Sequence, residues 1–340
     1  MTLRIGLIGC GAIAVLGHLP ALALEPRLTL TVLVDTNLAR ARSLGRQYDI
    51  SLQVADYHQA LGAMDAAIVA LPHFLHAPVT IELLKAGIHV LVEKPMGLNI
   101  AECEAMLKAA RSSGATLAVG LSRRHFPSVR FFKDILSSGT FGQLHSFEIC
   151  EGTVFNSPVA SNALFRRETA GGGVLIDGGV HTLDTLLYWL GELQVTSYQD
   201  DAFGGVEANC LIGLAGKDGI TGQMELSRTR QLRNSYRFHF SSGMVELEVK
   251  PIADMNYYPC GSKLVWQARA GETDVHELSL IEIMRRQLAD FVTAIETGGE
   301  PAVTGEIGRQ SVALVEACYA SRQPLQLPWL QPVPLAVAGG

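Results

Sequence analysis

In the first third of the chain, short apolar runs alternate with amphipathic stretches of helix length. Nearly every position of the runs is apolar, which predicts parallel strands that helices cover on both faces. These runs are Leu3–Ile8, Leu28–Val34, Ala66–Leu71, His89–Val92 and Thr116–Val119. Between them, apolar residues at spacings of three and four predict the helices Leu38–Tyr48, Ala77–Ala86 and Ile100–Ser113. The alternation predicts a doubly wound sheet of about six parallel strands, with right-handed crossovers, over residues 1–121.

The pattern changes after residue 122. Alternating apolar and polar positions from Val195 to Arg269, broken by turn residues, predict antiparallel strands. Other stretches predict one strand at Gly142–Gly152, helices at Val129–Ser137, Val174–Leu190, Ile281–Thr297 and Ile307–Ser321, and an extended, partly mobile tail at Pro324–Gly340. Residues 122–340 are therefore expected to form a second α/β domain with a large, mostly antiparallel open sheet.

Composition narrows the class of protein. With 340 residues, 48% of them hydrophobic, the chain is long enough for two domains and too apolar to be disordered. A net charge of −6 without a basic run argues against nucleic acid as a partner. No secretory signal or membrane-spanning stretch is evident, so a cytoplasmic protein with no membrane partner is expected. Scattered cysteines predict reduced thiols, and no spacing of histidine and cysteine suggests a metal.

The turn after the first strand carries a candidate dinucleotide site. The segment Gly9-Cys10-Gly11-Ala12-Ile13-Ala14 fits the pattern G-x-G-x-x-G/A between a strand and a helix. Gly9 is expected to make the tight turn, Gly11 to let the backbone approach a pyrophosphate, and Ala14 to let the helix lie close to the strand. Asp35, at the end of the second strand, suits the ribose hydroxyls of NAD, whereas nearby Arg40 and Arg42 leave NADP open.

Two further segments carry candidate chemistry. Glu93-Lys94-Pro95 ends the predicted strand at His89–Val92, and the proline restricts Lys94 to an extended conformation. Carboxyl ends of parallel strands line the ligand crevice, which places Lys94 beside the nicotinamide half of a dinucleotide. Asp177, His181 and Asp184 follow one another at spacings of four and three, so on one helix all three could face one cleft.

Taken together, these segments resemble the glucose-fructose oxidoreductase/inositol dehydrogenase (Gfo/Idh/MocA) family over nearly the whole chain. The matching elements are GCGAI at 9–13, His18-Leu19-Pro20-Ala21, Leu71-Pro72 with His76, AGIHVLVEKP at 86–95 and GGGVLIDGGVH at 171–181. This sequence departs from the family pattern at Leu71 and at His73, where threonine and asparagine are usual.

The resemblance implies a site whose residues fall into three groups. Lys94 and His181, with Asp177 beside them, are the expected catalytic residues. Lys94, Arg124, Asp177 and His181 are the expected substrate contacts, and Arg124 could equally be a structural ion-pair residue. The expected contacts to NAD, or possibly NADP, are Gly9, Gly11, Ala12, Ile13, Asp35, Leu71, Pro72, His76, Glu93, Lys94 and Pro95. His18 is expected to pack the helix turn.

The implied activity is hydride transfer between a nicotinamide and a secondary alcohol or ketone of a sugar, cyclic polyol or sugar derivative. A histidine that titrates near neutrality and a neighbouring lysine can relay the alcohol proton. We cast His181 as general acid/base, and Lys94 as the donor that orients the substrate oxygen and shares the relay. Asp177 is expected to bind a neighbouring hydroxyl or to steer the imidazole.

Several alternatives stay open at this point. They are an enzyme that retains its NAD for a transient oxidation, a reductase of a non-sugar carbonyl or tetrapyrrole, and a non-catalytic dinucleotide sensor. Arginines such as Arg166, Arg167, Arg228, Arg230 and Arg233 also leave a substrate with a charged arm possible. An open sheet of this size would leave an apolar face uncovered, so a homodimer or homotetramer is expected.

Overall fold

The computed structural model describes residues 2–156, 159, 162–250, 254–269 and 278–326. Within these ranges, six parallel strands form the first sheet, in the order β3-β2-β1-β4-β5-β6. They are β1 (Leu3–Ile8), β2 (Leu28–Val34), β3 (Leu52–Val54), β4 (Ala66–Val69), β5 (His89–Val92) and β6 (Leu117–Val119). The predicted doubly wound parallel sheet is confirmed. The apolar runs did not locate β3, a three-residue strand at the edge of the sheet.

The helices of the described ranges follow the predicted amphipathic stretches closely. They are α1 (Leu19–Leu22), α2 (Leu38–Tyr48), α3 (His76–Lys85), α4 (Ile100–Ser113), α5 (Pro127–Ser138), α6 (Arg167–Ala170), α7 (Val180–Leu190), α8 (Leu280–Thr297) and α9 (Gly305–Ala320). Two π-helical turns were not predicted: Ala14–His18, which leads into α1, and Leu175–Gly179, which leads into α7. We call them the first and the second wide turn. Such turns are rare and are found frequently at functional sites.

Nine strands within the described ranges form the second sheet, in the order β14-β13-β12-β11-β7-β10-β9-β8-β15. They are β7 (Leu144–Gly152), β8 (Gln194–Asp200), β9 (Asn209–Ala215), β10 (Thr221–Ser227), β11 (Ser235–Phe240), β12 (Gly243–Glu248), β13 (Asp254–Pro259), β14 (Trp266–Arg269) and β15 (Arg322–Pro324). Only the pairs β7–β10 and β8–β15 are parallel among these strands. The expected large, mostly antiparallel sheet is therefore confirmed.

The two faces of this sheet differ in polarity. On the covered face, Phe238 packs against Phe132 of α5 and Trp189 of α7, with ring centroids 4.6 and 5.3 Å apart. On the other face, Arg237 of β11 forms an ion pair with Glu246 of β12 at 2.7 Å. Strand alternation thus places charged side chains at these strands on the face that no described helix covers, where an apolar face was expected.

The last two helices pack back on the first sheet. From α8, Met284, Leu288 and Phe291 join the buried cluster that contains residues of β1 and α1. Just before α9, the carbonyl of Val303 accepts a hydrogen bond from the N–H of Val119 in β6 at 3.1 Å. The domain division at residue 121 stays a prediction, and in space the C-terminal helices belong to the core of the first sheet.

The tail predicted at Pro324–Gly340 lies outside the described residues beyond 326. Among the described helices, none combines the length and the apolar character that crossing a membrane requires.

Candidate active site

The glycine-rich turn is shaped by contact on one side and by open space on the other. Gly9 has a φ of +99°, and a Cβ there would lie 2.2 Å from the carbonyl oxygen of Ala70. Only glycine fits this position. At Gly11, in contrast, a Cβ would meet nothing within 4 Å. The backbone is therefore open at Gly11, as the approach of a dinucleotide pyrophosphate requires.

Asp35 supports this turn from the end of β2. Its carboxylate accepts hydrogen bonds from the backbone N–H groups of Cys10 at 3.0 Å and Asn37 at 2.7 Å. Arg40 lies 3.5 Å from the same carboxylate. The acid predicted to bind the ribose and a guanidinium thus lie side by side, an arrangement compatible with both NAD and NADP.

The first wide turn delivers His18 to Glu93. Nε2 of His18 lies 2.7 Å from Oε1 of Glu93, and the two side chains are 0% and 8% exposed. Burial alone would raise the pKa of Glu93, but the hydrogen bond and charge of His18, together with Lys94, lower it. Both oxygens of the Glu93 carboxylate are thus paired, one with His18 and one with the backbone N–H of Lys94. Glu93 was predicted to bind the cofactor, and this pairing leaves only its backbone for that contact.

His76 joins two of the predicted cofactor-binding turns. Its Nδ1 lies 2.7 Å from the carbonyl oxygen of Pro95 and its Nε2 lies 2.8 Å from that of Leu71. The imidazole is buried, and its two contacts connect the turn at Leu71-Pro72 to the turn at Lys94-Pro95. The Lys94–Pro95 peptide bond is cis.

The second wide turn delivers Asp177 to Lys94. Nζ of Lys94 donates to Oδ1 of Asp177 at 2.7 Å and to its carbonyl oxygen at 2.8 Å. Arg228, which follows β10, donates to Oδ2 of the same carboxylate. Burial alone would raise the pKa of Asp177, but the charges of Lys94 and Arg228 hold it well below its usual range. Asp177 is therefore a carboxylate between two cations, and the three side chains are 14–20% exposed.

Sequence reasoning named Arg228 only as one of several arginines that could face the cleft. It missed Glu207 completely. This buried carboxylate accepts hydrogen bonds from the N–H groups of Gly173 and Leu175 and from the hydroxyl of Tyr319. It thereby satisfies N–H groups at the start of the second wide turn, which have no partner within the helix.

The same contacts explain why glycine precedes this turn. A Cβ at Gly172 would lie 1.9 Å from the Tyr319 hydroxyl, and one at Gly173 would lie 1.8 Å from the Glu207 carbonyl oxygen. The close approach of Tyr319 and Glu207 thus requires glycine at both positions. This packing fixes where Asp177 and His181 emerge.

His181 lies one turn after Asp177, and its Nδ1 is buried without a hydrogen-bond partner among the described residues. Burial, with the charges of Arg123 and Lys94, lowers the pKa of His181 well below its usual range. The imidazole is therefore neutral near pH 7. A buried ring nitrogen without a partner is costly, so its natural partner is a bound ligand.

His73, one of the departures from the family pattern, lies at the edge of the same site. Its Nδ1 lies 2.9 Å from the carbonyl oxygen of Ala170, and its Nε2 lies 4.0 Å from Oδ1 of Asp177. Burial, followed by the charges of His76 and Lys94, lowers the pKa of His73 to about 4. His73 thus joins the turn after β4 to the segment that precedes the second wide turn.

Asp184 does not share the cleft with Asp177 and His181, so the expectation of one common face was wrong. Asp184 is fully buried and receives two parallel hydrogen bonds from Arg124, Nε to Oδ2 at 2.9 Å and Nη2 to Oδ1 at 2.8 Å. A buried carboxylate requires such a partner. Of the two roles weighed for Arg124, the geometry favours the structural ion pair, and its role as a substrate contact stays untested.

Comparison with known proteins gives matches over most of the chain. Residues 3–121 match the family described as "Oxidoreductase family, NAD-binding Rossmann fold", and residues 129–246 match the "GFO/IDH/MocA C-terminal domain". The dTDP-3,4-didehydro-2,6-dideoxy-alpha-D-glucose 3-reductase of Actinomadura kijaniata is 27% identical, with 96% of this chain and 97% of that protein covered.

Two solved structures share the fold. Levoglucosan dehydrogenase in complex with NADH and levoglucosan superposes with a TM-score of 0.84, at 21% identity, over 94% of this chain and 97% of that one. A 3-ketoreductase from Actinomadura kijaniata in complex with NADP and TDP-benzene gives a TM-score of 0.84, at 24% identity, over 96% of this chain and 100% of that one.

Proposed function

Because the chain belongs to the GFO/IDH/MocA family of oxidoreductases, we propose that it is an NAD(P)-dependent dehydrogenase or reductase of a carbohydrate. It transfers hydride between a nicotinamide and a secondary alcohol or ketone of a sugar, cyclic polyol or sugar derivative. One observation carries this proposal: the Lys94–Asp177 pair lies in the same site as His181, whose Nδ1 has no partner among the described residues.

The residues of the first sheet fit a dinucleotide. Gly11 leaves its backbone open to a pyrophosphate, Asp35 suits the ribose, and Leu71-Pro72 and Lys94-Pro95 lie at the carboxyl ends of β4 and β5. When bound, the nicotinamide supplies the hydride acceptor or donor. The protein's own task is to hold the substrate carbon and to move the alcohol proton.

Lys94 is suited to the substrate oxygen. An ammonium group has three N–H donors, and Asp177 takes two of them, one with its carbonyl and one with its carboxylate. The third donor has no acceptor among the described residues, so it is available to the oxygen of an alcohol or ketone. Lys94 thus orients the substrate oxygen and shares the proton relay, and Asp177 fixes the direction of its Nζ.

His181 completes the relay as the general acid/base. Its lowered pKa keeps the imidazole neutral, so a proton acceptor is ready before the alcohol is oxidised. Oxidation and reduction are one step run in opposite directions, so the same groups serve both. In oxidation the alcohol proton moves from the oxygen that Lys94 holds to His181, and in reduction it returns by the same path.

Reduction of NAD and of NADP, followed at 340 nm with a panel of polyols, monosaccharides, sugar acids and nucleotide sugars, tests this function. We expect turnover that falls about 10³-fold or more in Lys94→Ala, because that change removes the donor that orients the substrate oxygen and shares the proton relay. Lys108→Ala, on the exposed side of α4, is the matched control and keeps full activity. Full turnover in Lys94→Ala would refute the mechanism. Silence across the panel, with nucleotide retained after desalting, would favour the enzyme that keeps its NAD.

We also propose a homodimer or homotetramer assembled through the second sheet. Support comes from its uncovered face, where neighbouring strands present opposite charges such as Arg237 and Glu246, and from Leu264 and Trp266 near its edge, which are 68% and 62% exposed. Light scattering coupled to size exclusion gives the mass, and a monomer would refute the assembly. A cytoplasmic location is proposed on the unpaired state of all six cysteines.

A further inference from the structure

We propose that Arg228 binds an oxyanion of the substrate, so that the preferred substrate is a sugar or polyol with a carboxylate or phosphate close to the reacting carbon. This inference rests on the proposed function and narrows its substrate class. Both anions have the geometry that a guanidinium recognises with two parallel hydrogen bonds.

The first observation is that the hydrogen-bonding capacity of Arg228 is mostly unused. A guanidinium carries five N–H donors, and one Nη2 donates to Asp177. The other side-chain donors of Arg228 have no hydrogen-bond partner within the described part of the chain. The side chain is 14% exposed, and its unused donors are not among the fully buried atoms, so they are accessible from the cleft. An anionic acceptor that enters the cleft can pair with them.

Two nearby arginines have more of their donors paired than Arg228. Arg123 donates to Glu151, Thr182 and Tyr236, and Arg124 makes a bidentate pair with Asp184. Two positions after Arg228, Arg230 forms an ion pair with Glu225 at 3.0 Å, and its Nε is buried without a partner among the described residues.

The second observation is the location of the guanidinium. Arg228 and Lys94 contact the two oxygens of one carboxylate, so an anion on Arg228 lies within a few ångströms of the oxygen that Lys94 holds. The guanidinium also lies over the ring of Phe155, 5.3 Å from its centroid, and Phe165 packs edge-on against that ring at 5.8 Å. The Phe155 ring thus makes a cation–π contact with the guanidinium of Arg228.

The test compares neutral and anionic substrates in matched pairs. The pairs are glucose with glucuronate, glucose with glucose 6-phosphate, and galactose with galacturonate. They are measured with the wild type, Arg228→Gln, Arg228→Lys and the control Arg230→Gln. The measured quantity is the ratio of kcat/KM for the anion to kcat/KM for its neutral partner. The uronate and phosphate arms identify which anion the site takes.

We expect a ratio of about 10 or more in the wild type, since charge-assisted pairs are the strong hydrogen bonds. The ratio should fall to about 1 in Arg228→Gln, recover partly in Arg228→Lys and stay unchanged in Arg230→Gln. Equal loss for neutral and anionic substrates in Arg228→Gln would overturn the proposal and leave Arg228 as a support for Asp177. A raised KM for the dinucleotide alone would assign Arg228 to the cofactor and overturn it too.

Binding provides a second measurement that does not depend on turnover. With NADH-loaded protein, quenching of NADH fluorescence reports the affinity for glucuronate, glucose 6-phosphate and glucose. Tighter binding of an anion by the wild type, lost in Arg228→Gln, supports the proposal even if no compound in the panel is oxidised. Absence of any anion preference overturns it, whereas the proposed redox activity stands or falls with Lys94→Ala.

Discussion

The two wide turns have the same local form and opposite surroundings. Each begins a helix after a glycine-rich segment, and each sends one side chain to one of two adjacent residues, His18 to Glu93 and Asp177 to Lys94. The first pair is sealed, at 0% and 8% exposure, whereas the second is about one-fifth exposed. The difference in exposure fits the proposal made above, in which the sealed pair fixes the position of the strand end and the open pair contacts the substrate.

The largest expected effect comes from breaking the open pair. Asp177→Asn removes the charge between Lys94 and Arg228, so neither cation is held in place. We expect kcat/KM to fall about 10²–10⁴-fold, as for the loss of an acid–base group. The free energy of unfolding should fall as well, by about 1–3 kcal/mol, because two cations lose the carboxylate between them in a site that is only 14–20% exposed. Steady-state kinetics and urea unfolding measure the two quantities.

Glu93→Gln is the matched variant in the sealed pair and should differ from Asp177→Asn in activity. Loss of the charge-assisted hydrogen bond to His18 in a buried site should cost about 1.5–3 kcal/mol of stability. Its loss of kcat/KM should be smaller than that of Asp177→Asn. If Glu93→Gln lost more activity than Asp177→Asn, the assignment of roles to the two turns would be reversed.

A smaller effect is expected at the glycine before the first wide turn. Gly11→Ala places a methyl group in open space, so the fold should tolerate it. The same methyl group occupies the surface that a pyrophosphate approaches, so the Kd for the dinucleotide should rise about tenfold or more. Gly178→Ala, in the second wide turn, also meets nothing within 4 Å and is the matched control. Equal dinucleotide affinity in Gly11→Ala and wild type, measured by calorimetry, would place the cofactor elsewhere.

The smallest expected effect concerns acid stability. The pKa of His73 is about 4 in the folded state, below the value of about 6.5 in the unfolded chain. The unfolded state therefore binds the proton first, and stability falls as pH drops from about 6.5 towards 4. Removing this group in His73→Asn should flatten that fall by about 1 kcal/mol per pH unit. Urea unfolding at pH 7.5, 6 and 5 measures it. His145→Asn, an exposed position of β7, is the control, and an equal flattening there would contradict the assignment.

The first sheet was predictable because buried parallel strands are almost entirely apolar. The strand β3 was not predicted from the apolar runs, because Leu52-Gln53-Val54 is too short to form one. The wide turns were not predicted because each spans only five residues, too few to show a change in the apolar spacing. Lys94, Asp177 and His181 lie on segments with a recognisable pattern, so their proximity could be expected.

Arg228 and Glu207 could not be placed from sequence. Arg228 reaches Asp177 because the second wide turn packs on the end of β10, where a Cβ at Gly179 would lie 2.4 Å from Leu226. Glu207 reaches Gly173 through a loop between β8 and β9. Side chains brought in by packing between distant segments leave no local signal, so single-sequence reasoning finds the motif residues and misses the residues that hold them.

The return of α8 to the first sheet has a consequence for the order of events during synthesis. Met284, Leu288 and Phe291 complete the buried cluster around β1 and α1, yet they leave the ribosome after all of the strands β1–β14. The first sheet is therefore synthesised first, but its buried cluster is completed only after α8 has been synthesised. While the middle of the chain is translated, the first sheet exposes an apolar surface, which is the state that chaperones protect and that aggregation threatens.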